Sequence, residues 1–197
     1  MRLMENQELI HPNSLLVDFI FPQFMMLCEP TVDSKKISRE CFSLKEEDPE
    51  GRKLSNIGGW QSKLHTKTDL PELKKLVSTV NKICNNIVPE VVGISTPLNG
   101  SYEWWVNINE KNQFNVPHAH GAAKYIAIYY AQVPIDPGLL TVIRPDTATP
   151  LRHKEPPSVE ARPKANSLYF FPGHLLHYVM PPKTDEKERI SIAFNFY

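Results

Sequence analysis

The centre of the sequence reads Asn115-Val-Pro-His-Ala-His-Gly121 and continues, after two alanines, as Lys124-Tyr-Ile-Ala-Ile-Tyr-Tyr-Ala131. The β-branched and aromatic residues of the second part are typical of a strand within a sheet. His118 and His120 are two residues apart, so on an extended backbone their side chains share one face. Neutral imidazole is the commonest protein ligand of transition metals, which makes the pair a candidate for part of a metal site. Because seven histidines occur in 197 residues, the pair alone could also be a chance spacing.

The composition is that of an ordinary soluble globular protein, with 41% apolar and 22% charged residues. The 22 basic and 22 acidic residues cancel, which argues against a nucleic-acid partner because phosphate-binding surfaces need an excess of Lys and Arg. No apolar run is long enough to span a membrane, and the first residues do not resemble a signal peptide. Cys28, Cys41 and Cys84 show no Cys-x-x-Cys spacing. They are predicted to be reduced, buried thiols of a cytoplasmic protein.

The first hundred residues are predicted to contribute a strand and supporting helices. The apolar run Leu15–Phe21, which ends before Pro22, predicts a strand that adds to the edge of a later sheet. A short helix is predicted over Lys36–Leu44, and the charged stretch Lys45–Lys53 is predicted to be a solvated loop. Trp60 follows two glycines in a polar context and is predicted to plug the core from a loop.

The clearest helix extends from Leu70 to about Val88. Apolar residues recur at helical spacing along one stripe, which predicts packing against the core. The stripe consists of Leu70, Leu73, Val77, Val80, Cys84 and Ile87. Asp69 is in position to cap the N-terminus, with Glu72 completing a capping box. Pro89 is predicted to end the helix because proline lacks a backbone N–H.

A period-two pattern begins at residue 102, where apolar residues alternate with Glu103, Trp105, Asn107 and Asn109. Further strands are predicted at about 123–132, 138–144, 166–171, 175–180 and 189–196. Helices followed by many short strands predict a mainly β fold of the α+β class, in which antiparallel sheets are closed or sandwiched and backed by helices. The proline-rich segment Thr147–Lys164 is predicted to be a long loop of the lid or binding type.

The last strand has an unusual polar face, made of Arg189, Ser191, Ala193 and Asn195. An Arg guanidinium can bind a carboxylate through two parallel hydrogen bonds, and a hydroxyl two residues further on can add a third. The face therefore either lines a cavity that holds an anion or belongs to an edge strand that meets water. The turn Pro172-Gly-His-Leu-Leu-His177 leads into a strand that begins with His177, which could supply a third metal ligand. His174, within the turn, is predicted to be exposed.

In this order, the motifs resemble the iron- and 2-oxoglutarate-dependent oxygenases, which are built on the double-stranded β-helix (jelly roll). The resemblance is closest to the prolyl-hydroxylase-like branch and to a group of small oxygenases of bacteria and phages. It is carried by His118-Ala-His120 with Ile126–Tyr130, by Leu168–Phe171, by His177–Pro181 and by Arg189-Ile-Ser-Ile192, and more loosely by Gly59–Ser62 and Trp105-Val-Asn107. It implies one jelly-roll domain over residues 1–197, with a strand and supporting helices in 1–100 and the metal- and cosubstrate-binding β core in 101–197.

The resemblance also implies the cofactors Fe(II) and 2-oxoglutarate. His118, His120 and His177 would be the metal ligands and the catalytic centre, and Arg189, helped by Ser191, would bind the distal carboxylate of 2-oxoglutarate. Tyr130 is a weaker candidate for the same carboxylate, with Tyr129 as its rival, and Asn107 could reach the cosubstrate from the neighbouring strand. The implied reaction is hydroxylation of a substrate with release of succinate and carbon dioxide. The sequence identifies neither that small molecule or peptide nor the oligomeric state.

Position 120 departs from the family pattern, because a histidine stands where the usual facial triad has a carboxylate. Three neutral imidazoles leave a metal one full charge more positive than two imidazoles and a carboxylate would. This leaves open that His120 is not a ligand, or that the metal is not iron. A smaller departure is Asn166, which stands where a glycine is expected at the start of a strand.

Two other functions stay open on the sequence alone. A cupin-like metal enzyme without 2-oxoglutarate is suggested by His118-x-His120 and by the spacing of Pro172, Gly173 and His177. It lacks the expected acidic residue within 121–125, however, and leaves Arg189 and Ser191 unexplained. The other alternative is a non-catalytic jelly-roll binding module whose histidines bind nothing.

Overall fold

The structure is a computed structural model and describes residues 16–20, 23–93, 100–145 and 158–197. The helical segments are α1 (Ser34–Glu47), α2 (Pro71–Lys82), a π-helical turn (Ile83–Ile87) and α3 (Val88–Val92). The strands are β1 (Leu16–Ile20), β2 (Gln23–Cys28), β3 (Asn56–Ile57), β4 (Trp60–Gln61), β5 (Tyr102–Asn109), β6 (Phe114–His118), β7 (Tyr125–Gln132), β8 (Leu140–Ile143), β9 (Ser158–Ala161), β10 (Ser167–Pro172), β11 (His177–Val179) and β12 (Arg189–Phe196).

The strands form two antiparallel sheets. The larger has the order β1-β2-β10-β7-β12-β5-β4, and the smaller has the order β3-β6-β11-β8-β9. The two sheets share an inner apolar cluster, to which β7 and β10 contribute from the larger sheet and β8 and β11 from the smaller. A second cluster joins the opposite face of the larger sheet to the helices. The mainly β arrangement backed by helices is the one that the sequence predicts.

The period-two pattern of β5 and β12 divides their side chains between these two layers. Ile190, Ile192, Phe194 and Phe196 lie in the helix-side core, together with Trp104, Val106 and Ile108. The alternate residues of both strands therefore face the smaller sheet, because successive side chains of a strand point to opposite faces. This is the polar face of β12, and its Ser191 and Ala193 line a cavity between the sheets.

The predicted cap of α2 is wrong. Leu70 occupies the N-cap position without a side-chain acceptor, and neither Asp69 nor Glu72 forms the capping box. Glu40 of α1 caps α2 instead, because its carboxylate accepts the backbone N–H groups of Glu72 at 3.0 Å and Leu73 at 2.6 Å. A side chain 32 residues away satisfies donors that a local pattern assigned to Asp69.

The predicted end of this helix is also wrong. The helical segment passes through the π-helical turn at Ile83–Ile87, continues past Pro89 in α3 and ends at Gly93, which has the left-handed conformation of a C-terminal cap (φ 71°). Pro89 lies at the start of α3, immediately after the π-helical turn. The apolar stripe is confirmed, since all of its residues after the partly buried Leu70 are buried.

Several other predictions are adjusted by the structure. β1 lies at the sheet edge as predicted, but β2 was not predicted, and α1 extends through residues 45–47, which were assigned to the loop. Trp60 is buried as predicted, but it lies in the short strand β4 and not in a loop. β9 occupies part of the predicted 147–164 loop, and residues 146–157 of that loop lie outside the described residues.

Cys28, Cys41 and Cys84 are buried free thiols, as predicted, and burial raises the pKa of each. Within the described ranges, no helix is both long and apolar enough to cross a membrane. Asn166 has a left-handed backbone (φ 64°), a conformation in which Asn is more readily accommodated than most residues. This explains why Asn can stand where glycine was expected.

Candidate metal centre and anion pocket

Three histidines converge at the open end of the smaller sheet. His118 ends β6 and His177 opens β11, and the two residues lie directly opposite each other in the antiparallel register. His120 follows in the turn after β6, where its backbone N–H donates to Gly173 at 2.8 Å. One ring nitrogen from each histidine lies within 4.8 Å of the other two. The structure thus brings together all three predicted metal ligands.

Backbone carbonyls fix the orientation of two of these rings. Nδ1 of His118 lies 2.7 Å from the carbonyl oxygen of Val116, and Nδ1 of His177 lies 2.9 Å from that of Leu175. A carbonyl oxygen can only accept, so each Nδ1 carries the proton and each Nε2 keeps a free lone pair. This tautomer is the one in which Nε2 can bind a metal ion.

Burial keeps the rings uncharged. Burial first, and the neighbouring His118 second, lower the pKa of His177 to about 3 and that of His120 to about 4. Burial also lowers the pKa of His118, partly offset by its bond to Val116. At neutral pH the site therefore offers three neutral nitrogen donors, which suit a divalent transition metal.

Arg189 lies between the sheets as a buried cation, and no carboxylate of the described residues forms an ion pair with it. Only 1% of its surface is exposed. Its Nη1 donates to the carbonyl oxygens of Pro137, at 2.6 Å, and Met180, at 2.5 Å, but Nε and Nη2 have no hydrogen-bond partner. Burial lowers the pKa of Arg189 to about 10, which still leaves it charged at neutral pH. Two free donors on a buried cation point to an anionic ligand.

Tyr130 belongs to the same pocket, whereas Tyr129 does not. Tyr130 lies opposite Ser191 in the register, and its hydroxyl is buried without a partner. Burial raises the pKa of this hydroxyl, and the charge of Arg189 opposes that rise. Tyr129 points into the helix-side core and donates to Oδ1 of Asn166 at 3.0 Å. The geometry therefore favours Tyr130 over Tyr129 as an anion-binding residue.

Ser191 and Asn107 lie opposite each other on β12 and β5 and line the inner cavity. Oδ1 of Asn107 accepts a hydrogen bond from Nε2 of Gln61 at 3.1 Å. Asn109, which was not singled out as a site residue, lies opposite Arg189, is fully buried and has no partner for either amide atom. Asn109 shares the face of β5 that carries Asn107, and this alternation is the sequence pattern that could have identified it.

Two cavities meet at the histidines. The inner one, of about 30 Å³, lies between the sheets, and the outer one, of about 250 Å³, forms the mouth. Both are lined by Ser55, Trp105, His118 and His120. The inner volume holds only two or three waters at about 10–15 Å³ each, so a five-carbon diacid would require the lining side chains to shift. The donor chemistry nevertheless fits a metal ion chelated by such an acid, because three nitrogen ligands line the inner cavity together with Ser191, and the free donors of Arg189 lie two residues from Ser191 on β12.

Comparison with known protein families identifies the β core. The family model described as "Putative 2OG-Fe(II) oxygenase" matches residues 103–195, a range that includes all three histidines and Arg189. A search of curated proteins finds no matching sequence.

Solved structures share the fold. A prolyl-4-hydroxylase from Pseudomonas putida matches with a TM-score of 0.63 at 14% identity, over 100% of this chain and 98% of its own. A collagen prolyl hydroxylase from Paramecium Bursaria Chlorella virus-1, solved as a 2OG complex, gives 0.56 at 12%, over 94% and 96%. HygX from Streptomyces hygroscopicus, with nickel and 2-oxoglutarate bound, gives 0.56 at 11%, over 87% and 81%. The predicted double-stranded β-helix backed by helices is thereby confirmed.

Proposed function

We infer that the chain is a member of the 2OG-Fe(II) oxygenase family, whose model matches residues 103–195, and that it is an Fe(II)- and 2-oxoglutarate-dependent dioxygenase that hydroxylates its substrate. The observation that carries this inference is the combination of three neutral imidazoles within 4.8 Å of one another with a buried guanidinium whose Nε and Nη2 are unpaired. A metal site alone would leave Arg189 unexplained. An anion pocket alone would leave the histidines unexplained.

We propose that Nε2 atoms of His118 and His177 and one ring nitrogen of His120 hold Fe(II). Arg189, with the hydroxyls of Tyr130 and Ser191, would bind the distal carboxylate of 2-oxoglutarate through charge-assisted hydrogen bonds. When bound, the two cofactors supply oxygen activation, in which 2-oxoglutarate is decarboxylated to succinate and carbon dioxide and one oxygen atom is inserted into a C–H bond of the substrate. Asn107 lies beside this pocket and is proposed to contact the cosubstrate.

The chain's own residues orient the reactants and exclude water. Val116 and Leu175 hold two imidazole rings through their carbonyls, so the ligand nitrogens are positioned before any metal binds. The apolar walls of the inner cavity, which include Ile126, Ile128 and Val179, limit the entry of solvent. A water-poor cavity strengthens the electrostatic interactions of Arg189 with a bound carboxylate.

We propose that the substrate reaches the metal through the outer cavity. Leu54 and Leu64 are exposed apolar residues at its wall, and Trp105 lies beneath them. The volume of about 250 Å³ suits a small molecule or a single side chain of a peptide. The neutral net charge argues against nucleic acid. The single domain over 1–197 and, from the three buried thiols, a cytoplasmic location are likewise proposals.

The test is an anaerobic titration of metal-free protein with Fe(II) and 2-oxoglutarate, following the visible charge-transfer band of the chelate. We expect a saturable band that is weakened in His177→Ala and Arg189→Ala. His174→Ala is the matched control, because that histidine is exposed in the neighbouring turn. Iron binding without any band would instead favour a cupin-like metal enzyme. Absence of metal binding would refute the proposed function.

A further inference from the structure

We propose that Glu103 and Asn195 form a hydrogen-bonded relay that orients His120 and places a negative charge behind it, where the usual metal site has a carboxylate ligand. The inference rests on the proposed function for the identity of the metal. It concerns how this chain can use histidine at position 120. Glu103 and Asn195 are positioning residues in this proposal, and neither contacts the metal.

The two residues lie directly opposite each other on β5 and β12. Nδ2 of Asn195 donates to Oε1 of Glu103 at 3.0 Å, and the hydroxyl of Tyr197 donates to the same oxygen at 2.5 Å. The carboxylate can only accept, so the Asn195 atom that faces it must be the amide nitrogen. Glu103 thereby fixes which way the Asn195 amide is turned.

This orientation leaves the amide oxygen of Asn195 available to the metal centre. Oδ1 is buried and has no partner that meets strict hydrogen-bond geometry, although Asn195 and His120 line the same outer cavity. Glu103 lines this cavity as well, so both relay residues lie on the side of the site to which the His120 ring is exposed. In the proposed relay, an N–H of the His120 ring donates to this Oδ1.

The relay supplies His120 with a hydrogen-bond acceptor, as backbone carbonyls do for His118 and His177. An acceptor fixes the proton on one ring nitrogen and leaves the other nitrogen free for the metal. Trp105 supports the orientation from the side, since its ring stacks on His120 with centroids 5.6 Å apart and planes 20° apart. All three ligand rings are then oriented from behind, two by carbonyls and one by a side-chain amide.

The relay also addresses the charge at the site. Three neutral imidazoles leave the metal without the negative charge that a carboxylate ligand supplies. In the proposed arrangement the Glu103 carboxylate polarises Asn195, which in turn makes His120 a more electron-rich ligand. Carboxylates behind metal-bound histidines act in this way when they contact the imidazole directly. Here one amide lies between them.

The test measures Co(II) affinity by the visible absorption of the bound ion, without 2-oxoglutarate. In Glu103→Gln, which keeps the shape and removes the charge, we expect Co(II) to bind about 10-fold more weakly, with a larger loss in Asn195→Ala. Glu110→Gln, an exposed carboxylate at the far end of β5, is the matched control. Unchanged affinity in both relay variants, at unchanged melting temperature, would overturn the proposal.

A purely structural role predicts a different pattern. If Glu103 only ties the end of the chain to β5, Tyr197→Phe should weaken Co(II) binding as much as Glu103→Gln does. The relay predicts that Tyr197→Phe leaves the affinity unchanged, because the charge and the contact to Asn195 remain.

Two further measurements keep the test decisive. In the Fe(II)–2-oxoglutarate complex, Glu103→Gln should move the charge-transfer band to higher energy, because the metal becomes less electron-rich. If the variants fail to fold, ¹⁵N spectra of the wild-type Zn(II)-loaded protein decide the matter: one His120 ring nitrogen must carry a proton protected from exchange, and a rapidly exchanging proton there would refute the relay. A wild-type protein that binds Co(II) but gives no charge-transfer band would refute the proposed activity. The relay would then be tested by the Co(II) affinities of the variants alone.

Discussion

Arg189 is the residue whose surroundings are least compatible with a ligand-free resting state, because its charge is fully buried and two of its nitrogens are unpaired. Replacing it with Met removes two hydrogen bonds to carbonyls but also removes a buried charge. These effects offset, so we expect the free energy of unfolding to change by no more than about 1 kcal/mol. Binding of 2-oxoglutarate to the Mn(II)-loaded protein, measured by calorimetry, should weaken by about 100-fold or more. Retained affinity would remove Arg189 from the cosubstrate site.

Tyr129 and Tyr130 form a matched pair for a crossed experiment. Tyr130→Phe removes an unpaired hydroxyl beside Arg189, so it should weaken 2-oxoglutarate binding by about 10-fold without loss of stability. Tyr129→Phe removes the hydrogen bond to Asn166, so it should lower the free energy of unfolding by about 1 kcal/mol and leave 2-oxoglutarate binding unchanged. Calorimetry and urea unfolding on both variants check the two halves. The opposite pattern would make Tyr129 the ligand.

At the scale of single elements, the start of α2 depends on a side chain of α1. Glu40→Ala leaves two backbone N–H groups of α2 without their acceptor, and we expect the free energy of unfolding to fall by about 1 kcal/mol. Glu46→Ala on the exposed side of α1 is the control. Co(II) affinity should not change in either variant, since α2 is on the far side of the larger sheet. Equal stability of the two variants would mean that Glu40 does not act as a cap.

The elements also show what local pattern can and cannot predict. In β5 and β12 the alternation is complete, and a slip of one residue would reverse every side chain, so both the strands and their faces follow from the sequence. The cap supplied by Glu40 and the continuation past Pro89 depend on contacts between distant residues, which no local window contains. β6 was missed because a proline interrupts its short pattern, although it carries His118.

At the scale of the whole molecule, the three site histidines make stability depend on pH in the metal-free protein. Their pKa values in the folded state are lowered, to about 3 for His177 and about 4 for His120, against about 6.5 in an unfolded chain. The unfolded state therefore binds more protons below pH 6.5, so the free energy of unfolding should fall as the pH falls from 7.5 to 5.

Urea unfolding in the presence of a chelator at these two pH values checks this, and His177→Gln should flatten the dependence. Equal stability at pH 7.5 and pH 5 would show that the rings are not buried as neutral groups. The window above pH 5 keeps ordinary carboxylates largely ionised, so the dependence comes from the site histidines and from His65, whose pKa burial also lowers; the flattening in His177→Gln identifies the contribution of the site.

The main residues of the candidate site could be predicted from the sequence, but the contacts between them could not. The order of His118, His177 and Arg189 along the chain was sufficient to suggest the chemistry. The unpaired amide of Asn109 and the contact between Glu103 and Asn195 depend on which residues of β5 and β12 lie opposite each other. That register is fixed by long-range strand pairing and cannot be predicted from the sequence of either strand alone.

The register that sets His118 opposite His177 also bears on the fidelity of folding. β6 and β11 are short strands of five and three residues, and short strands have few contacts with which to reject a shifted alignment. A slip of one residue would turn His177 to the other side of the sheet and leave only two nitrogens at the site. Binding of the proposed metal would therefore discriminate between correctly and incorrectly aligned chains. The ion would bind tightly only to molecules in which β6 and β11 are paired in the correct register, and binding would stabilise that register against further rearrangement.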